Sequence, residues 1–262
     1  MHIGYVPADP AGNLTAFVLT PVDVAARAPL ARYMMAHCRE GFEQVGFVEE
    51  TSLVSSLPRL DMMGGEFCGN ACRAFAMLAA GRRGIHTGTI WVSISGADAP
   101  VCVELDGRSG DAYAEMPLPR GMQAIRALGR EIPVVQMTGI AHAVLMNTVP
   151  SQRDAQEALK AMPPEEAQGV LFVQGTRMTP LVYVPATDTC VWESSCGSGS
   201  VALAWYLSRR FADGEHCFVF DEPGGRLAVR VKTCGGRAVS AVMGGAVSLG
   251  AQMQIDVPDG LW

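Results

Sequence analysis

The stretch Cys68-Gly69-Asn70-Ala71-Cys72-Arg73-Ala74-Phe75-Ala76-Met77-Leu78-Ala79-Ala80 decides the fold, because the chain repeats its character further on. The second copy reads Cys196-Gly197-Ser198-Gly199-Ser200-Val201-Ala202-Leu203-Ala204-Trp205-Tyr206-Leu207-Ser208. The offset is 128 residues in a chain of 262, close to half its length. Each run is apolar on nearly every side, the mark of a helix buried all round and not of an amphipathic surface helix. The predicted helices cover 69–80, stopped by Gly81, and 197–210, stopped near Gly214.

The flanks repeat as well. Val45-Gly-Phe-Val-Glu49 and Val170-Leu-Phe-Val-Gln174 are short apolar strands, each upstream of its Cys-Gly pair. Downstream, strand-like runs at 89–95, 101–105 and 112–116 surround Asp106-Gly107, and runs at 217–220, 227–231 and 238–243 surround Gly235-Gly236. Alternation bounded by glycine turns marks hairpin strands. The predicted fold is α/β (α+β), with two pseudo-symmetric halves, each a curled and mostly antiparallel sheet around one buried helix. The halves are 1–118, carrying Cys68, and 119–262, carrying Cys196, with the last ~12 residues returning to the first half. Residues 116–130, with Pro117, Pro119 and Gly121, read as a linker.

Composition narrows the function. Apolar residues make up 49% and charged residues 18%, against about 25% charged in an average soluble domain, so the chain can build a core and is no disordered segment. A net charge of −6 without a basic block argues against nucleic acid or an anionic membrane as partner. No apolar run reaches membrane-spanning length, and the first ten residues lack the pattern of a signal peptide, so the expectation is a cytoplasmic protein. Eight cysteines are too few for a disulfide scaffold and should stay reduced in that compartment. No Cys-x-x-Cys pair exists; a zinc site from Cys68, Cys72, Cys190 and Cys196 would match no common module, and no metal is expected.

A cysteine at each helix start has chemical consequences. It meets the positive end of the helix dipole and unpaired backbone N–H groups, conditions that favour thiolate. Gly69, Gly197 and Gly199 let a carboxylate approach the backbone closely. Two such thiols suit inversion of a carbon centre: one takes a proton from one face, the other returns a proton to the opposite face, and the roles exchange for the reverse reaction. Helix N-termini would stabilise the developing carbanion; no lysine lies in an evident pyridoxal-phosphate motif, so no cofactor is expected. The plainer reading is two buried cysteines kept by duplication. Cys72, one turn into its helix with Ser200 as counterpart, reads as a packing residue.

These residues resemble the diaminopimelate epimerase family, cofactor-independent racemases and epimerases, over nearly the whole chain. Cys68-Gly-Asn-Ala-Cys-Arg and Cys196-Gly-Ser-Gly-Ser look like its two active-site signatures. Gly12-Asn13 is similar to its Gly-Asn motif, whose Asn contacts substrate, and Gly139-Ile-Ala-His142 to its Gly-Asn-Pro-His motif, whose His neighbours a catalytic thiol. The resemblance implies a pseudo-symmetric fold with a site shared by the halves. It also implies catalytic Cys68 and Cys196, with Asn13, Gly69, Asn70, His142, Glu193, Gly197 and Ser198 around a small amino-acid substrate, in a monomer or homodimer.

The chain departs from the pattern where the far end of diaminopimelate would bind. Ala186-Thr-Asp-Thr189 has no Arg, Ile140 replaces an Asn, and Arg59-Leu-Asp61-Met-Met-Gly-Gly is shorter. Leaving a second carboxylate without a partner would cost several kcal/mol. Gly64-Gly-Glu-Phe-Cys68 and Trp192-Glu-Ser-Ser-Cys196 resemble the histidine racemase branch of opine-metallophore biosynthesis instead. The expected function is therefore a cofactor-independent amino-acid racemase favouring histidine. The alternatives are diaminopimelate epimerase itself and a non-catalytic amino-acid-binding protein. His142 is expected to ion-pair with a thiolate, Glu66 and Glu193 to orient the amino group or tune a thiol, and Asp61 or Asp188 to meet a cationic side chain. His2, His37, His86 and His216 read as surface or structural residues.

Overall fold

The computed structural model describes residues 1–49, 57–258 and 260. They form two compact units, Met1–Glu115 with Gly244–Trp262, and Met116–Met243.

The first unit runs β1 (His2–Asp9), β2 (Thr15–Val18), α1 (Val24–His37), β3 (Gln44–Val48), β4 (Arg59–Met62), α2 (Gly69–Arg82), β5 (Gly88–Ile94), β6 (Val101–Asp106) and β7 (Asp111–Glu115). Neighbouring strands pair antiparallel except at two places, β2 with β3 and β4 with β5. A helix separates the strands at both, as a parallel crossover requires.

The second unit runs β8 (Gly121–Ala127), β9 (Arg130–Gln136), β10 (Ile140–Met146), α3 (Gln152–Ala161), β11 (Ala167–Gln174), β12 (Arg177–Val184), β13 (Thr189–Trp192), α4 (Gly197–Ser208), β14 (Gly214–Glu222), β15 (Gly225–Cys234) and β16 (Arg237–Ala246), whose residues from Gly244 on belong to the first unit. Its parallel pairs are β10 with β11 and β12 with β14, again spanned by helices, α3 and α4. The order from β9 to β16 thus repeats that from β1 to β7, with β13 inserted. Val45–Val48 falls on β3, with Glu49 just past its end, and Val170–Gln174 on β11, equivalent strands. Past β16, β17 (Ser248–Leu249) and β18 (Met253–Asp256) pair antiparallel with β1, His2 opposite Asp256 and Ala8 opposite Leu249.

The interior of the first unit is built on α2. Ala71, Ala74, Phe75, Ala76, Leu78 and Ala79 pack with Phe17, Leu60, Val92, Val103 and Ala114, and Phe75 meets Phe17 edge-on, ring centroids 6.0 Å apart. Alanines let the strands approach closely, and each large apolar side chain withdrawn from water contributes about 1.5–3 kcal/mol. α4 is buried in the same way through Val201, Ala202, Leu203 and Ala204.

Three sequence expectations change. Gly81 does not stop α2, which continues to Arg82. The stop is Gly84, at φ +69°, where Ile85 N–H donates to Ala80 O and Gly84 N–H to Gly81 O, the paired bonds that close a helix on a left-handed glycine. Residues 116–130 are mostly strand: β8 pairs with β9 through Leu128-Gly129, both at positive φ, a two-residue hairpin turn whose twist matches the strands. α4 ends at Ser208, two residues early, in i→i+3 turns.

The approach to Cys68 depends on Gly96, just beyond β5. Ser95 Oγ donates to Glu66 O at 3.0 Å, and Gly96 at φ +72° lies so close that a Cβ would stand 2.2 Å from Phe67 N. The conformation alone costs a non-glycine residue about 1–2 kcal/mol, and overpacking adds about 1–3. Gly96→Ala is therefore expected to lower stability by about 2–5 kcal/mol, read as a shift in the urea midpoint at unchanged slope.

Candidate active site

In the first unit the site residues gather at the start of α2. Cys68 is the N-cap in extended conformation, and its Sγ accepts from Ala71 N–H at 3.4 Å. Asn13 Oδ1 lies 3.8 Å from the same sulfur. The Asn13 amide is oriented from behind, since its Nδ2 donates to Glu43 Oε2 at 3.0 Å. Asn70 is buried, and its Oδ1 accepts from Arg73 Nε at 3.2 Å, one helical turn on. Arg73 is itself fully buried; its Nη1 donates to Gly245 O at 2.8 Å and Ala246 O at 3.0 Å. Cys72 points into the core, and burial pushes its thiol well above the ordinary range, as a packing residue requires.

In the second unit Cys196 caps α4 with nearly the same backbone angles (φ −123°, ψ 99°) but without a cap hydrogen bond to its sulfur. The carboxylate of Glu222, at the end of β14, meets the N–H of the cap residue itself. Its Oε2 accepts from Cys196 N–H at 2.6 Å and its Oε1 from Ser200 Oγ at 2.5 Å. Burial is the main cause that raises the Cys196 thiol far above its ordinary range; the carboxylates of Glu193 and Glu222 add to it, and Ser198 opposes it.

Ser198 Oγ lies 3.6 Å from Cys196 Sγ and 2.9 Å from His142 Nε2. His142, on β10, is completely buried, and Gly169 on the neighbouring strand β11 presses so close that a Cβ there would stand 2.1 Å from His142 Nδ1. Nδ1 has no hydrogen-bond partner among the described residues. An orphaned N–H is rarer than an orphaned acceptor, which favours the proton on Nε2, donating to Ser198 Oγ, so that the Ser198 hydroxyl donates to the sulfur. The expected ion pair between His142 and a thiolate is thus replaced by a neutral ring acting through Ser198.

The remaining expectations sort plainly. Gly69, Gly197 and Ser198 occupy first turns of the two helices, where backbone N–H groups lack intrahelical partners. Glu193 is half-buried beside Cys196, while Glu66 is exposed. Asp61 is engaged by Arg27 at 2.8 Å and Arg59 at 2.7 Å, and Asp188 is exposed, accepting from Tyr183 Oη at 3.1 Å. His2 pairs with Asp256, His37 stacks on Tyr33 and His216 on Phe211. Sequence reading missed Glu222, Arg73 and Glu43. A signal for Glu222 exists: the offset that superimposes the cysteines maps Cys72 on Ser200 and Ile94 on Glu222, so an apolar pair in one half is a polar pair in the other.

This fold is shared by other solved proteins. A phenazine biosynthesis protein of the PhzF family from Enterococcus faecalis has a TM-score of 0.66 at 16% identity, covering 98% of this chain and 100% of its own. A probable proline racemase from Agrobacterium radiobacter gives 0.66 at 12%, covering 98% and 94%. The sequence is similar over most of its length to histidine racemases, at 30% identity for that of Fusobacterium nucleatum (79% of this chain, 81% of the relative) and 25% for that of Staphylococcus aureus (86% and 87%). The chain is an isomerase of the amino-acid racemase class. Residues 2–255 match the family described as the histidine racemase CntK N-terminal domain, and the chain belongs to that family. The wider tie to diaminopimelate epimerases stays an inference from the motifs. Among the described residues no helix is long and apolar enough to cross a membrane, and no His, Cys, Asp or Glu cluster is arranged to hold a metal ion.

The His142 environment predicts a pH effect on stability. Burial pushes its pKa down to about 3, from 6.5. The ring is neutral in both states above 6.5; below that the unfolded chain binds a proton that the folded chain refuses, so stability falls with decreasing pH until about 3. The loss approaches about 1.4 kcal/mol per pH unit. Urea unfolding at pH 6.5 and 5 should show a drop of about 2 kcal/mol from this group, and His142→Gln should remove that part of the slope.

Proposed function

We propose that the protein racemises histidine without a cofactor, by the paired action of Cys68 and Cys196. The observation that carries this reading is the duplicated helix start, a cysteine N-cap followed by glycine at both α2 and α4. One thiolate removes the α-proton and the other thiol protonates the opposite face, so the two sulfurs exchange a proton for each inversion. Protons balance over the cycle without an external acid. Each positioned acid or base of this kind contributes about 10²–10⁴ in rate.

In this reading the unpaired N–H groups at Gly69, Gly197 and Ser198 receive the substrate carboxylate and stabilise charge as the carbanion forms. Asn13 and Asn70, held by Glu43 and Arg73, present oriented amides. Glu193 supplies a carboxylate to the ammonium group. His142 acts through Ser198, whose hydroxyl supports Cys196 when it becomes thiolate. The names and extent of the related racemases favour histidine over diaminopimelate, in agreement with the missing Arg at 186–189. Each sheet is read as curled about its helix, as in diaminopimelate epimerase, and the protein as cytoplasmic.

Incubation of the reduced protein with L-histidine in D₂O, without added cofactor, should give loss of the α-proton NMR signal together with D-histidine on chiral chromatography. Cys68→Ser and Cys196→Ser should each lower racemisation by at least ~10². Full activity in either variant overturns the two-thiol reading, and turnover of diaminopimelate in place of histidine overturns the substrate.

A further inference from the structure

The far end of α4 opens on a cavity that the thiol chemistry does not use. Its volume is about 490 Å³, within the roughly 300–1,000 Å³ of small-molecule sites. Trp205 in the last turn of α4 and Arg209 at its C-cap line it, with Phe211 and Asp213 from the turn that follows. Arg237, the first residue of β16, and Arg120, just ahead of β8, complete the set. All six belong to the second unit. α4 is 12 residues long, and at about 1.5 Å per residue its end stands about 18 Å from the Cys196 cap.

The charge around this cavity runs against that of the chain. The sequence has 20 basic and 26 acidic side chains, yet here three guanidinium groups meet one carboxylate. That carboxylate is already engaged: Asp213 accepts the N–H groups of Gly235 at 2.5 Å and Gly236 at 3.0 Å, in the β15–β16 turn. Arg27, Arg59 and Arg226 pair with carboxylates, whereas Arg120, Arg209 and Arg237 have no ion pair among the described residues. Arg209 lies over the Trp205 ring, 5.1 Å from its centroid, a cation–π contact that holds the group without neutralising it. Like charges gathered at one concavity focus a positive potential into it, and an anion relieves their repulsion. Guanidinium suits phosphate and carboxylate because its forked N–H donors match two oxygens at once. Phe211, 58% exposed, adds apolar surface beside the charges.

We propose that this cavity binds a small polyanion, a molecule with two or more phosphate or carboxylate groups, at a site separate from the thiols. Arg120, Arg209 and Arg237 receive its charged groups, and Trp205 and Phe211 supply the apolar wall. Three cations against one engaged carboxylate call for more than a single negative charge.

Inorganic pyrophosphate and citrate are the probes, each titrated into the whole protein at ionic strength held constant with sodium chloride. Calorimetry should give saturable binding, and tryptophan fluorescence should change in step with it; Trp205→Phe should abolish the fluorescence change. Arg120→Gln, Arg209→Gln and Arg237→Gln should each raise Kd at least ~10-fold, the loss of one charge-assisted contact. Arg82→Gln, which removes the same charge from the first unit, should leave Kd in place. If Arg209→Gln does not fold because Trp205 loses its partner, the exposed Arg120 and Arg237 carry the test. Binding of pyrophosphate alone assigns phosphate groups to the ligand, binding of citrate alone assigns carboxylates, and binding of both supports a site that selects by charge and size. No saturable binding of either probe overturns the proposal. So does a signal that survives Trp205→Phe, a Kd that the cavity variants leave unmoved, or one that Arg82→Gln raises as much as they do. No step reads racemisation, so this site and the two-thiol reading stand or fall separately.

Discussion

A helix that begins inside a protein leaves its first N–H groups without partners, and something must stand opposite them. Much of this structure follows from how each half answers that demand. At α2 the cap is a sulfur, which takes an N–H directly. At α4 the same residue type occupies the cap, but a carboxylate reaches across from β14 and accepts the N–H of the cap residue itself. Both helices are apolar almost all round and lie in the interior, so neither start can turn to water for relief. The polar atoms placed there are few and specifically directed, and they are the atoms that a proton-transfer reaction on an amino acid needs.

The support behind those atoms is equally specific. Arg73 is a cation with no exposed surface, tolerated because Asn70 and the carbonyls of Gly245 and Ala246 accept its protons. Removing such partners would leave a buried charge uncompensated, a far larger penalty than any surface ion pair repays. It therefore ties the orientation of Asn70 to the return of the chain at Gly244. His142 is the opposite case: too deeply buried to hold a proton at neutral pH, wedged against the backbone of Gly169, and useful as a neutral donor that orders Ser198. In both, packing fixes the direction of a hydrogen bond that touches a candidate catalytic or substrate-binding group.

The duplicated topology explains how a distant carboxylate reaches a helix start. In each unit the helix with its Cys-Gly start bridges a parallel strand pair, so the strand following the helix returns beneath the helix start. In the second unit that strand ends at Glu222, whose carboxylate accepts the N–H of Cys196 and the hydroxyl of Ser200.

Much of this was legible before any coordinates. The 128-residue repeat, the buried helices and the hairpin strands all follow from local patterning, because an all-round apolar run and a glycine turn act over a few residues. The two cysteines were legible too, since a residue before glycine at a helix start is a local feature. Gly81 misled because glycine is tolerated inside a helix, and only the backbone angle at Gly84 identifies the stop. The linker reading of 116–130 failed because two prolines drew attention from the Leu128-Gly129 turn. Sequence alone determined the repeated halves, the thiols and the kind of chemistry they suit. Tertiary structure alone decided that Glu222 lies under one thiol, Glu43 behind Asn13 and Ser198 between His142 and Cys196. Those contacts join residues 26 to 56 positions apart, and no local pattern specifies which distant side chains a strand crossing will bring together.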